Sequence, residues 1–314
     1  MWRFIAHRLI AAIPVLFLVS VFIFGLVHLM PGDPALVIAG DIASDELVDK
    51  IRTDLGLDRP LLEQYVAWLS GAVRGDFGES LFAPVPVTEA IMARLPTTLS
   101  LTVLALGIAV VIGITAGLIS AVRPGGMLDR TATFGSSIGL AVPNFWVGLV
   151  LVVIFALSLG WLPATGYVRL SVDPVGWLKS LAMPAVALGT SASAVLARQT
   201  RNALVGVLER DHIRAARAHG LRPRSVIGKH GLKNASIPVV TVLGLQLTAL
   251  LSGALVVEKV FALPGIGSLA ITAVNRRDIP MIQGVVAFTT IIVLVVNLLV
   301  DVVYASLDPK VRPS

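Results

Sequence analysis

Long apolar runs separated by short polar stretches dominate the chain, and their lengths predict a series of membrane-crossing helices. The first run, Leu9 to Met30, is long enough for the ~20 residues a spanning helix needs. Arg3, His7 and Arg8 precede it, as in a signal peptide. The run exceeds the ~7–15 apolar residues of such a peptide, and Pro31-Gly32-Asp33-Pro34 stands where small residues would mark cleavage. We therefore read it as a retained helix. Further runs cover about Thr97 to Val122, Thr131 to Leu159 with Pro143-Asn144 in its middle, Leu181 to beyond Arg198, Ile237 to Val257, and Gly284 to Tyr304. The expectation is an all-α polytopic membrane protein with six transmembrane helices.

The polar stretches differ from one another. Asp33 to Ala93 is rich in acids. Ser44 is placed to cap a helix carrying Leu47, Ile51 and Leu55 on one face and stopping near Gly56, and Pro60 to open another with Leu61, Tyr65, Trp68 and Leu69. Trp161 to Lys179 reads as an outer loop with interfacial Trp161, Tyr167 and Trp177. Glu258 to Gln283 is too polar and turn-rich for a simple span. Glu209 to Pro238 is a strongly basic island. There, Ile213, Ala216, Gly220 and Leu221 fall at i, i+3, i+7 and i+8 on one helical stripe, and Arg210, Arg214 and Arg217 fall on another face. Ala215, Ala216, Ala218 and Gly220 leave little side chain above the backbone. Arg222-Pro223-Arg224 is expected to break this helix, and Ser225 to cap a second one toward Asn234. Such a helix suits docking into a groove of a cytosolic protein; the plainer reading is a basic loop that only fixes topology.

Composition narrows the class. A chain of 314 residues that is 56% hydrophobic, with mean hydropathy +0.87, is not a soluble domain. The formal charge of +6 raises nucleic acid as a partner. The bases, however, cluster in loops between apolar runs, which marks topology and not a phosphate-binding surface. Six spans place both termini on one side. The N-terminus, the 123–130 turn, the 198–233 island and the C-terminus hold fifteen of the 25 Lys and Arg. That side is expected to be cytoplasmic, with the acidic segment outside.

Catalytic and cofactor chemistry is absent from the pattern. No cysteine is present, which excludes disulfides, thiolate catalysis and zinc-thiolate sites. No Gly-x4-Gly-Lys-Ser/Thr occurs, so the chain has no phosphate-binding loop of its own. Gly265-Ile-Gly267-Ser-Leu-Ala270 imitates a dinucleotide fingerprint but follows no strand of a βαβ unit. No catalytic residue, metal ligand or cofactor is expected. A membrane enzyme would need convergent catalytic groups at membrane depth, and an ion-coupled secondary transporter would show inverted repeats and paired broken helices. Neither pattern is found. Asn144, Gln246, Thr248 and Ser252 are polar groups inside spans; they either line a water-filled passage or gate, or hydrogen-bond between helices. Glu258 and Asp301 lie near span ends, where structural pairing with Lys259 or Arg residues is expected.

The string Asp211-His-Ile213-Arg-Ala-Ala-Arg-Ala-His-Gly220-Leu221, ending in Lys233-Asn234-Ala-Ser-Ile-Pro238, resembles the coupling motif of ATP-binding-cassette (ABC) importer permeases in its peptide-permease version. The general motif opens on Glu where this chain has Arg214. Further landmarks of that family are His28-Leu-Met-Pro31-Gly32-Asp33-Pro34, Leu55-Gly56-Leu57-Asp58, Gly75-Asp76-Phe77-Gly78, Val257-Glu258-Lys-Val-Phe261-Ala-Leu-Pro264-Gly265-Ile-Gly267, Arg277-Asp278-Ile-Pro280 and Asn297-Leu-Leu-Val-Asp301. They cover almost the whole chain and resemble the first permease subunit of dipeptide/oligopeptide importers, a group that includes nickel permeases.

The resemblance implies a type I importer permease fold with an extracytoplasmic segment between helices 1 and 2. Its expected divisions are an N-terminal transmembrane helix (1–30), an extracytoplasmic segment (31–93), a permease core with a coupling helix at about 209–221 (94–307) and a cytoplasmic tail (308–314). It implies a bacterial cytoplasmic (inner) membrane location, and a transport subunit that makes or breaks no bond. The implied partners are a second homologous permease in a heterodimer, two cytosolic ATPases, an extracytoplasmic substrate-binding protein and a peptide substrate, with nickel or another small solute as the alternative. Asp211, Ile213, Arg214, Ala215, Ala216, Arg217, Gly220 and Leu221 would then couple to the ATPases. Glu258, Phe261, Pro264, Gly265, Gly267 and Asp278 would form an extracytoplasmic scoop for the binding protein.

Overall fold

The computed structural model describes residues 2–29, 34–39, 44–54, 56–222 and 225–307, and the regular elements among them are helices. Met30 to Asp33 of the first landmark, Leu55, the Pro223-Arg224 break and the 308–314 tail lie outside the described residues. In chain order the helices are α1 (Trp2–Leu29), α2 (Pro34–Ala39), α3 (Asp45–Asp54), α4 (Leu61–Val73), α5 (Val87–Val122), α6 (Met127–Ala141) and α7 (Asn144–Leu151). α8 (Pro174–Leu208), α9 (Asp211–Ala218), α10 (Lys233–Val260), α11 (Ile266–Arg276) and α12 (Ile279–Leu307) follow. α7 continues as a π-helical turn, Val152–Ser158, and another π-helical stretch, Val226–Leu232, leads into α10.

Five segments are long and apolar enough to cross a membrane: Ile5–Gly25, Val87–Val122, Pro174–Leu208, Val226–Val260 and Ile279–Val303. The predicted straight span from Thr131 to Leu159 is instead a helix pair, α6 and α7 with its π turn, bent by 101°. Pro143 has no N–H to give the preceding turn, and the residue before a proline is pushed out of helical geometry. Val142 is accordingly extended, at φ −86° and ψ 126°. Counted as one broken span, this pair makes six.

A second expectation is also revised. Ser225 caps no short helix: it is itself helical, makes no capping hydrogen bond, and leads without interruption through the π stretch into α10. The helix therefore does not stop at Asn234, whose side-chain amide donates back to His230 O at 2.7 Å. No Gly or Pro stands between Leu232 and Ile237 to stop the helix, and it runs on to Val260. Ser44, by contrast, accepts a hydrogen bond from Leu47 N at 3.4 Å as α3 begins, and the chain turns after α3 through Gly56 at φ +66°.

The chain divides into two compact units. One is built on Thr97–Pro264 with Met1–Ile5 and Val296–Ser314; the other joins Ala6–Pro96 to Gly265–Val295. In the first unit α8 is the central helix, with 72% of its most apolar stretch buried against 28% for α5. Its sequence explains this. Ala185, Ala187, Gly189, Ala192, Ser193, Ala194 and Ala197 give it a small-residue surface that α6, α7 and α10 approach closely. Two glycines of α5 complete the contact: a Cβ on Gly117 would lie 2.6 Å from Ala197 O, and one on Gly113 would lie 2.8 Å from Ser193 O.

The second unit has its own core, with Phe77, Val87, Ile91, Ile266, Leu269, Ala273, Met281 and Val285 buried together. Tyr65 and Trp68 of α4 pack on Phe24 of α1, the Phe24–Tyr65 rings edge to face at 5.4 Å. The Tyr65 hydroxyl shares a 2.8 Å hydrogen bond with Ser20 Oγ.

Candidate functional site

The basic island forms a two-turn helix, α9, and its amphipathic pattern decides which side faces the protein. Ile213 is fully buried in a cluster with Ala121, Leu204, Val207, Val226 and Ala235, and Ala216 packs against it partly buried. Asp211, Arg214, Ala215, Arg217 and Ala218 are exposed. Arg214 Nη1 reaches Asp211 Oδ1 at 3.4 Å across one exposed turn. The predicted single stripe therefore splits: Ile213 and Ala216 anchor the helix to its own chain, while Gly220 and Leu221 lie past its end and are exposed.

Gly220 serves a backbone purpose. Its φ is +77° and no atom lies within 4 Å of an added Cβ. Gly220 N donates to Arg217 O at 3.0 Å and Leu221 N to Ala216 O at 3.2 Å, the paired bonds of a left-handed helix stop, which glycine adopts at least cost. Within this chain Gly220 is thus a helix terminator, not a space filled by a hydrogen alone.

The turn after α10 is built inward. Glu258 is fully buried and accepts a hydrogen bond from Thr98 Oγ1 at 2.6 Å. Phe261, 2% exposed, lies on Gly148, where an added Cβ would stand 2.9 Å from its ring. Ala262 takes φ +51° as the chain reverses, and Leu263 N donates to Glu258 O at 2.8 Å. Pro264 is exposed.

In the other unit, Gly265 is buried, and its carbonyl accepts from Leu269 N at 3.1 Å and Ser268 Oγ at 2.9 Å as α11 starts; Gly267 is half-buried. Asp278, 4% exposed, caps α12 through Met281 N (3.4 Å) and holds the 80–81 loop through Ser80 Oγ (2.5 Å) and Leu81 N (3.3 Å). Of the six residues expected in the scoop, Pro264 and Gly267 reach the surface; Glu258, Phe261, Gly265 and Asp278 are buried framework.

The four polar residues inside spans do not converge. Asn144 Nδ2 lies 3.8 Å from where a Cβ on Gly253 would be, and Gln246, seven residues earlier, shares that face of α10. Thr248 and Ser252 share another face. There Thr248 Oγ1 donates to Asn297 Oδ1 of α12 at 3.1 Å, and Ser252 Oγ back-bonds to Thr248 O at 3.3 Å.

Sequence reasoning passed over one constellation, the pairing of Asp129 with Arg201. Asp129 opens α6, is 4% exposed, and accepts from Arg201 Nε (2.5 Å), Arg201 Nη2 (2.7 Å) and Gly125 N (2.8 Å). It locks the 123–130 turn to α8. The available signal was an acid in a turn otherwise furnished with Arg123 and Arg130, on the side of the chain that carries most of the bases.

Residues 110–313 match the family described as binding-protein-dependent transport system inner membrane component, and residues 1–102 match the corresponding N-terminal family. A putative peptide transport system permease protein of Brucella abortus (strain 2308) is 40% identical over 99% of both chains. The glutathione transport system permease protein GsiC of Escherichia coli (strain K12) is 42% identical over 99% of both. In fold, the chain resembles an inward-facing MetNI methionine ABC transporter structure, with TM-score 0.58 and 21% identity, covering 69% of this chain and 96% of that one. An importer permease of this kind is a transport component, not an enzyme, and works in the inner membrane with ATPase and substrate-binding partners. The chain belongs to the binding-protein-dependent transport system inner membrane components and is a permease subunit of an ABC importer.

Proposed function

We propose that this chain forms a heterodimer with a second, homologous permease, and that the pair carries peptides handed over by an extracytoplasmic binding protein. The observation that carries this reading is the similarity, over 99% of the chain, to permeases named for peptide and glutathione transport. Both termini and α9 lie in the cytoplasm in this reading, and the acidic 31–93 segment lies outside.

The mechanism has a physical route. The exposed side of α9, with Asp211, Arg214, Ala215 and Arg217, docks on an ATPase. ATP closes the two ATPases and displaces α9. Ile213 shares its buried cluster with Leu204 and Val207 of α8 and with Val226 and Ala235 of the 226–260 helix. Displacing α9 therefore moves both helices, because a close-packed cluster transmits strain instead of absorbing it. The passage between the permeases then alternates its opening. In this reading the binding protein meets Pro264, an exposed residue of its turn.

Reconstitution in proteoliposomes tests the reading. With the second permease, both ATPases and the binding protein, labelled di- or oligopeptide should accumulate only when ATP is present. Leaving out the second permease should abolish uptake. Full uptake with this chain as the only permease, or ATP-driven uptake of nickel with none of peptide, would refute it.

A further inference from the structure

We infer that the cleft between α5, α6 and α8 binds one anionic phospholipid, its headgroup near the 123–130 turn and an acyl chain along α8. Two cavities meet there. The first, about 270 Å³, carries the polar and basic groups, with Ser120, Thr133, Ser136, Arg198, Arg201 and Asn202 in its wall. The second, about 280 Å³, includes Ile108, Ile112, Ala116, Gly139 and Val186 in its wall. They share Ala132, Ser136 and Ala197.

The charge balance at the polar end is positive. Asp129 takes up the charge of Arg201 through two short hydrogen bonds. Arg198 is exposed, and its Nη2 lies 3.5 Å from Ser137 Oγ. Arg123 and Arg130, both exposed, add charge of the same sign to the adjacent turn. Basic pockets of this kind between membrane helices suit an anionic headgroup.

The apolar end has the length of an acyl chain. Along α8 it runs from Val186 to Ala197, about 16 Å at 1.5 Å per residue, which matches half of the ~30 Å hydrocarbon core. Its three hydroxyls are already satisfied, Ser136 Oγ on Ala132 O at 2.8 Å, Thr190 Oγ1 on Val186 O at 2.7 Å and Ser193 Oγ on Gly189 O at 2.7 Å. A bound peptide would bring backbone polar groups that this stretch cannot pair. A free anion would leave the apolar half unused.

Photolabelling of the complete importer, in nanodiscs of phosphatidylcholine, tests the site. The probe is phosphatidylglycerol with a diazirine in its acyl chain, and labelled peptides are mapped by mass spectrometry. Label is expected within 108–116, 132–139 and 186–197. A phosphatidylcholine probe should label these segments at least threefold less, and Arg198→Gln should cut phosphatidylglycerol labelling at least threefold. Ile112→Trp should reduce it by filling the groove. Equal labelling by the two probes in the unmodified importer would reduce the cleft to ordinary bilayer contact and overturn the site; this comparison decides even if the variants fail to assemble. Loss of label on adding peptide substrate, or a crosslink from Gly135→Cys to the second permease in place of lipid, would also overturn it.

Discussion

Gly220 and Ala262 occupy the same kind of left-handed helix stop with opposite suitability. Gly220 takes φ +77° without strain, whereas Ala262 is held at φ +51° between Phe261 and Leu263, both buried. Gly220→Ala should therefore act through backbone strain of about 1 kcal/mol, lowering the thermal midpoint of the purified importer slightly. Gly220→Asn should recover most of the loss, because Asn tolerates this conformation. Equal damage from the two variants would show that the position is held by a close contact instead. Residues such as these mark what one-dimensional reading misses. Ile213, Ala216, Gly220 and Leu221 share a helical spacing, yet the helix ends at Ala218 and the last two no longer belong to its face. Asp278 was legible as a residue of interest but not as the tie to the 80–81 loop, because its partners there, Ser80 and Leu81, are nearly two hundred positions away in sequence.

At the scale of elements, α9 is a short helix whose attachment rests on one large side chain. Ile213→Ala should loosen it, since emptying a fully buried isoleucine site costs about 2–5 kcal/mol. If the coupling role proposed for α9 holds, the variant should keep ATP hydrolysis while losing peptide transport. Arg217→Ala, on an exposed face, should reduce transport much less, because exposed charges contribute little. Transport that survives Ile213→Ala but not Arg217→Ala would transfer the role from packing to charge. The apolar runs made the long helices legible, and Pro143-Asn144 was placed within its run. The 101° bend was not legible, because a proline permits both a mild kink and a break, and packing against α8 selects between them. Nor could periodicity reveal that α8 is the buried helix: its alanines, glycines and serines matter by being small, a property that hydrophobic pattern does not encode.

For the whole molecule, the proposed topology follows from charge. In this proposal the basic turns lie on one side of the spans and the acidic segment on the other, because Lys and Arg near span ends mark the cytoplasmic side. The chain has no cysteine, so single replacements report cleanly. Ser44→Cys should react with an impermeant thiol reagent added to cells whose outer membrane has been permeabilised. Met127→Cys, at a position 82% exposed in the 123–130 turn, should react only after the inner membrane is opened. The reverse order would invert the topology and remove α9 from the reach of a cytosolic ATPase.

The proposed coupling rests on α9 turning Ile213 and Ala216 toward its own chain and Ala215, Ala218 and its charges toward an ATPase. Site-specific photocrosslinking in the assembled importer tests it most directly, with the reagent attached to Ala218→Cys or to Ala215→Cys. The account predicts an ATPase adduct from both positions, and a change in its yield when ATP closes the ATPases. Absence of any ATPase adduct from these two exposed positions, in a complex that still imports peptide, would contradict it.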